Sequence, residues 1–299
     1  MLLSLPMFRG AYTALVTPMR DGRVDEPALE KLVDEQIEAG IDGLVPCGTT
    51  GESPSLSHAE HIAVVEITVR AAAGRVPVLA GAGSNSTREA IELARACKEL
   101  GVAGTLQITP YYNKPTPQGL IAHFTAIADA VSLPLVVYNV PGRTCVDMDA
   151  PTLAKLAKHP HVVGVKEATA DMDRASQIRE LCGDDFSLLS GDDFTLLPFL
   201  AVGGDGVISV GSNLLPKLFA DLCAAVRDGR LDDARRLHYR HLPLTRALFT
   251  TTNPIAIKAA MAMTGRMGPE IRLPLTALPD DGPEYAGLRQ ALDTLELLD

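Results

Sequence analysis

Eight short apolar runs rich in Val, Ile and Leu, spaced roughly 28 residues apart, constrain this chain more than any other feature. They read YTALVTP (12–18), IDGLVPCG (41–48), VPVLAGAG (76–83), GTLQITP (104–110), LPLVVYNV (133–140), HVVGVKEA (161–168), FSLLSGD (186–192) and GDGVISVG (204–211). Between them lie amphipathic segments such as DEPALEKLVDEQIEAG (25–40) and SNSTREAIELARACKELG (84–101). Asp25 ahead of Pro27 and the capping box Ser57-x-x-Glu60 mark helix starts, and Gly40 and Gly101 sit where helices end. The spacing accommodates one buried strand, one turn and one crossover helix. An α/β fold of the (β/α)8 TIM barrel type is therefore expected. A doubly wound open sheet is the alternative, because periodicity does not show closure. After residue 230 the strand signal stops, and RLDDARRLHYRHLPLTRALF, NPIAIKAAMAMTG and EYAGLRQALDTLELL read as helices. The expected division is a catalytic barrel over 1–229 and a three-helix C-terminal domain over 230–299.

The chain of 299 residues is long enough to bury a large core. Its net charge of −10 disfavours nucleic acid and anionic membrane as partners. Cys47, Cys97, Cys145, Cys182 and Cys223 are scattered and form no C-x-x-C, which argues for free thiols in a reducing compartment. The opening MLLSLPMF is too short for a signal h-region, and no apolar run approaches the ~20 residues of a membrane span. A cytoplasmic location is expected.

One run hides a charge. In HVVGVKEAT (161–169), strict alternation puts Val162, Gly164 and Lys166 on one face and Val163, Val165 and Glu167 on the other. If the first face points inward, Lys166 stands near the carboxyl end of the sixth strand, where barrels build active sites. Burial penalises an ammonium, and the neutral amine it favours can attack a ketone and form a Schiff base. A lysine that snorkels out of the strand end or pairs with an acid fits the same residues.

Neighbouring strand ends add chemistry. Gly48, Thr49, Thr50 and Gly51 form a tight turn whose N–H groups and hydroxyls suit a carboxylate. TPYYNKP and YNVPGRT place Tyr111, Tyr112, Tyr138 and Arg143 at strand ends on one face of the barrel. Tyrosines, a lysine, an arginine and two threonines converging there make a site for proton transfer and carboxylate binding. Competing chemistry is weaker. AGAGSNS lacks the third glycine of a dinucleotide fingerprint and the acid that should follow it. Asp192 and Asp193 would repel a phosphate at the end of strand seven. The pairs His58/His61 and His238/His241 have helical spacing but no completing ligand, so they read as surface or interface histidines and no metal site is expected.

The blocks YTALVTPM, GTTGES, TPYYNKP, YNVPGRT, GVKEAT, LLSGDD and NPIAIK together resemble the dihydrodipicolinate synthase family of pyruvate-dependent class I aldolases, which includes N-acetylneuraminate lyase. The resemblance runs over essentially the whole chain. It implies a lyase that condenses pyruvate with L-aspartate 4-semialdehyde to 4-hydroxy-tetrahydrodipicolinate, in lysine and diaminopimelate biosynthesis, without a metal or organic cofactor. By the resemblance, Lys166 is the Schiff-base nucleophile, and Tyr138, Thr49 and Tyr112 form a proton relay, Tyr112 reaching into a neighbouring subunit's site. Thr50 would hold the pyruvate carboxylate, Arg143 the carboxylate of the aldehyde, and Gly191 and Ile208 would contact substrate through their backbones. A homotetramer, a dimer of dimers, is implied. Ser53, His58, His61, Asn85, Glu89 and Tyr111 resemble the L-lysine effector set of feedback-inhibited members, with Pro54 departing from the small residue often found there. Arg143 favours a short acidic aldehyde over the sugar acids of sialate and keto-sugar-acid lyases, which are the alternative within the family. Cys145 stands where many relatives have glycine. A barrel that binds a keto acid without turning it over is the alternative from another class.

Overall fold

A computed structural model describes residues 6–298; the first five residues of the apolar opening and the last residue of the chain lie outside them. Eight parallel strands make one sheet: β1 (Gly10–Ala14), β2 (Gly43–Val45), β3 (Leu79–Gly81), β4 (Gly104–Ile108), β5 (Leu135–Asn139), β6 (Val162–Glu167), β7 (Ser187–Ser190) and β8 (Gly206–Ser209). β1 pairs with both β8 and β2, so the order runs β2-β1-β8-β7-β6-β5-β4-β3. The two ends meet. A bridge joins Leu44 to Val78, Leu44 N–H donates to Pro77 O at 3.0 Å, and Gly81 N–H donates to Pro46 O at 2.9 Å. The sheet is thus a closed barrel, and the open doubly wound alternative falls.

Helices α1 (Glu26–Glu38), α2 (His58–Ala72), α3 (Thr87–Glu99), α4 (Pro117–Val131), α5 (Ala150–Leu156), α6 (Met172–Cys182), α7 (Leu196–Ala201) and α8 (Pro216–Arg227) follow the strands in turn. The local signals that start and stop them operate as expected. The Asp25 carboxylate accepts the Ala28 N–H at 3.3 Å, and Ser57 and Glu60 close a reciprocal capping box. Gly40 and Gly101 follow their helix ends with φ of +87° and +82°, conformations that suit glycine. Strand boundaries move more than helix boundaries do. The first strand starts at Gly10, and Leu15–Pro18 of its run already belong to the loop above the barrel.

Two apolar layers result. Phe8, Tyr12, Val45, Leu79, Leu106, Val136, Tyr138, Leu189 and Ile208 fill the barrel interior. A larger layer lies between the strands and the helices, and it continues into Leu244, Leu248, Ile257, Met261, Leu288 and Leu292. Those residues come from α9 (Leu231–Leu248), α10 (Ile255–Met263) and α11 (Pro283–Thr294), the helices expected after residue 230. They pack on the barrel wall through the same layer as α1–α8.

One facing expectation needs correction. Leu135 pairs with Val162, whereas the next residue, Val136, pairs with Gly164, so β6 carries one extra residue. A bulge of one residue shifts the two-fold alternation by one. Val162 consequently lies in the outer layer and Val163 packs toward the interior, the reverse of strict alternation. Beyond the bulge the alternation resumes, with Val165 outward and Lys166 inward.

Candidate active site

Lys166 comes from the end of β6, paired in register with Tyr138 of β5. Its Nζ lies 4.3 Å from the Tyr138 ring centroid. Only 6% of Lys166 is exposed. Burial lowers its pKa to about 8, with Asp193 working against that drop and Arg143 adding to it. Gly191 makes the room: a Cβ there would sit 2.7 Å from the Ala168 Cβ and 3.0 Å from the Lys166 Cε. A cavity of 160 Å³ opens around the amine, lined by Thr49, Thr50, Tyr138, Arg143, Gly191 and Asn253 among others.

Burial also raises the Tyr138 pKa, with the Arg143 cation and the Thr49 hydroxyl opposing the rise. The phenol therefore keeps its proton at neutral pH and can donate it. Thr50 is buried, and its hydroxyl oxygen accepts from the Asn253 side-chain amide at 3.0 Å. That contact does not use the hydroxyl's own proton. Arg143 stands exposed on the helical turn Pro141–Thr144, and its Nη2 donates to Asn253 O at 3.3 Å. Ile208 lies in the barrel interior, and Gly191 N–H donates to Glu167 O at 2.7 Å.

A second cavity, of 380 Å³, shares Gly48, Thr49, Leu106, Tyr138 and Arg143 with the first, so the two adjoin. Ser53, His58, His61, Glu89 and Tyr111 line it. His58 Nε2 meets Glu89 Oε1 at 2.8 Å, and Ser84 donates to the other Glu89 oxygen. Those two contacts hold the carboxyl below its usual pKa, the Ser84 bond most strongly, so Glu89 offers a charge to a cationic ligand. Asn85 stands apart from the lining. Its side-chain amide donates to Tyr111 O at 3.1 Å and so braces the loop after β4.

Three expectations change here. Of the tyrosines expected to converge, Tyr138 meets Lys166, whereas Tyr112 is 89% exposed and lines neither cavity of its own chain. Its backbone is left-handed, with φ of +72°. The histidine pairs are not simply surface features. His61 is buried with Nε2 at 2.7 Å from Gly81 O, and His241 is fully buried, 4.9 Å from the Phe219 ring and 5.2 Å from that of His238. Among the described residues no cluster of three or more His, Cys, Asp or Glu is placed to hold a metal. The third change concerns Asp193, which the sequence offered only as a charge that repels phosphate. It is buried, its Oδ2 accepts from Val210 and Gly211 N–H at 3.2 and 2.8 Å, and burial raises its pKa to about 6.

Sequence reasoning missed Asn253, Glu52 and Lys258. Asn253 and Lys258 lie in the block NPIAIK, and Glu52 lies in GTTGES, so all three belong to the quoted blocks. A second lysine inside an apolar helix pattern was the available signal.

Comparison with known proteins follows the same lines. Residues 7–292 match the dihydrodipicolinate synthetase family. The 4-hydroxy-tetrahydrodipicolinate synthase of Nitratidesulfovibrio vulgaris (strain DP4) is 58% identical over 272 residues, covering 91% of this chain and 93% of that one. The solved 4-hydroxy-tetrahydrodipicolinate synthase of the thermoacidophilic methanotroph Methylacidiphilum fumariolicum SolV superposes with a TM-score of 0.95 at 45% identity, over 97% of each chain. DHDPS from Cyanidioschyzon merolae, solved with lysine bound, gives a TM-score of 0.95 at 42% identity over 98% of this chain and 100% of that one. Matched from the first strand to the last helix, and carrying a buried lysine at the barrel mouth, this chain belongs to the dihydrodipicolinate synthetase family and is a lyase of the class I aldolase type.

Proposed function

We propose that the barrel mouth condenses pyruvate with L-aspartate 4-semialdehyde to 4-hydroxy-tetrahydrodipicolinate, with Lys166 as the nucleophile. The observation that carries this reading is a buried amine of lowered pKa, beside a protonated phenol and within one cavity with Thr49, Thr50 and Arg143. Lys166 Nζ attacks the ketone carbon of pyruvate, and loss of water leaves an iminium. The iminium acidifies the adjacent methyl, whose deprotonation gives an enamine that attacks the aldehyde carbon. The amine of the semialdehyde then attacks the iminium carbon, closes the ring and releases Lys166. Tyr138 and Thr49 move protons at the carbinolamine and the new alkoxide, Thr50 takes the pyruvate carboxylate, and Arg143 takes the carboxylate of the aldehyde. Gly191 and Ile208 contact substrate through their backbones, and the missing Cβ of Gly191 leaves space for the adduct.

Tyr112 completes the relay from a neighbouring copy in a dimer of dimers; its exposure supports that role. The barrel over 1–229 carries the chemistry, and the three-helix domain over 230–299 braces it. Among the described residues no helix is long and apolar enough to cross a membrane; the proposed place of work is the cytoplasm, on the scattered cysteines without a C-x-x-C pair. The test is borohydride reduction with pyruvate. One reduced pyruvate per chain should appear in the intact mass and map to Lys166; an adduct on another lysine, or none, overturns the reading.

L-lysine is the proposed effector of the adjoining cavity, held by Ser53, His58, His61, Glu89 and Tyr111, with Asn85 bracing Tyr111. Glu89 suits an ammonium group, and the cavity reaches Tyr138 and Arg143. Partial inhibition by millimolar L-lysine is expected, and Glu89→Ala should weaken it at least about tenfold, the loss of one charge-assisted contact. Undiminished activity at millimolar L-lysine rejects the assignment.

A further inference from the structure

Besides Lys166, a second lysine is buried near the barrel mouth. Lys258, on α10, pairs with Glu52, and their side chains are 1% and 2% exposed. The Lys258 Nζ also donates to Thr17 O at 3.0 Å, and the second Glu52 oxygen accepts Arg272 N–H at 3.0 Å. Every charge of the pair is thus engaged, and neither residue lines the cavity around Lys166. A buried ion pair is weak evidence for stability, since apolar residues of similar volume often serve as well. Its place in the fold points elsewhere.

Glu52 is the last residue of the turn that begins at Gly48 and carries Thr49 and Thr50. It is left-handed, with φ of +57°, as is Cys47 just before the turn, with φ of +55°. Non-glycine residues keep that conformation only where their surroundings hold them. Lys258 holds this turn twice, once through the Glu52 carboxylate and once through Thr17, whose hydroxyl donates to Gly51 O at 2.7 Å. Asn253, at the entry to the same helix, donates to the Thr50 hydroxyl. One C-terminal segment thus fixes both the backbone of the turn and the hydroxyl it presents.

We propose that the Lys258–Glu52 pair positions the carboxylate-binding turn Gly48–Glu52 for pyruvate, making both side chains positioning residues for the reaction. The inference rests on the assignment of Thr49 and Thr50 to pyruvate given above. Glu52→Gln combined with Lys258→Met removes both charges together, so neither is left buried alone. In that variant the KM for pyruvate should rise about tenfold or more, while the KM for the aldehyde stays within about threefold. Combining the pair with Thr50→Ala should add little to either effect, because both act on one contact. A purely structural pair would lower the unfolding temperature and leave the pyruvate KM unchanged. Glu52→Gln alone keeps the shape and an acceptor for Arg272 N–H, and should shift the pyruvate KM in the same direction by about threefold. It decides the matter should the double variant not fold. Borohydride trapping of the unaltered chain separates the two readings. No adduct at Lys166 overturns the proposed function, whereas an adduct with an unchanged pyruvate KM in the variants overturns the clamp.

Discussion

Lys166→Arg should lose turnover by on the order of 10⁴-fold or more and form no borohydride-trapped pyruvate adduct. Guanidinium stays protonated and supplies no lone pair to the ketone. On the proposed mechanism, the unaltered enzyme owes its nucleophile to burial. With the pKa lowered from 10.5 to about 8, roughly one amine in eleven is free base at pH 7, against about one in three thousand at the ordinary value. The sign of the pH dependence follows. Below about pH 8, kcat/KM for pyruvate should fall tenfold per unit as the amine takes up its proton, and above it the profile should level. A stopped-flow or coupled assay across pH 6 to 9 reads this directly. A profile flat through that range overturns the pKa near 8, and residual turnover in the arginine variant within a hundredfold rules out Lys166 as the nucleophile.

Tyr138→Phe should lower kcat by about 10²–10⁴-fold, the usual contribution of a positioned acid or base. The ring that packs 4.3 Å from Lys166 Nζ is retained, so the cavity keeps its shape and the pyruvate KM should change only a few-fold. Because burial raises the phenol pKa, no tyrosine ionisation should appear in the profile of the unaltered enzyme below pH 9. Steady-state kinetics with an unfolding curve for each variant make the comparison. A kcat within fivefold of the unaltered enzyme would sink the relay role of Tyr138.

Much of this architecture was legible in the sequence, for reasons that differ from element to element. A barrel strand is buried on both faces, so its composition alone announces it, and the intervening helices declare their ends through Asp25, Ser57, Gly40 and Gly101. Closure was not legible, because the bridge between Leu44 and Val78 depends on the tilt of every strand. The facing of Val162 was misread, since a single inserted residue leaves no trace in an apolar run. Tyr112 sits in a loop whose path no periodicity describes, so its exposure became visible only once the chain was folded.

By itself, the sequence determined the eight strand–helix units, a lysine near the end of the sixth strand, and the residue types gathered at the strand ends. These are local properties, set by burial patterns and by the reach of a few peptide units. Tertiary structure alone decided which partners those residues meet. Glu52 finds Lys258 across 206 positions of chain, and Thr50 finds Asn253 across 203. Contacts at such separations depend on how the C-terminal helices lie against the barrel wall. The lowered pKa of Lys166 belongs to the same class, because desolvation is the joint product of every element that surrounds the amine.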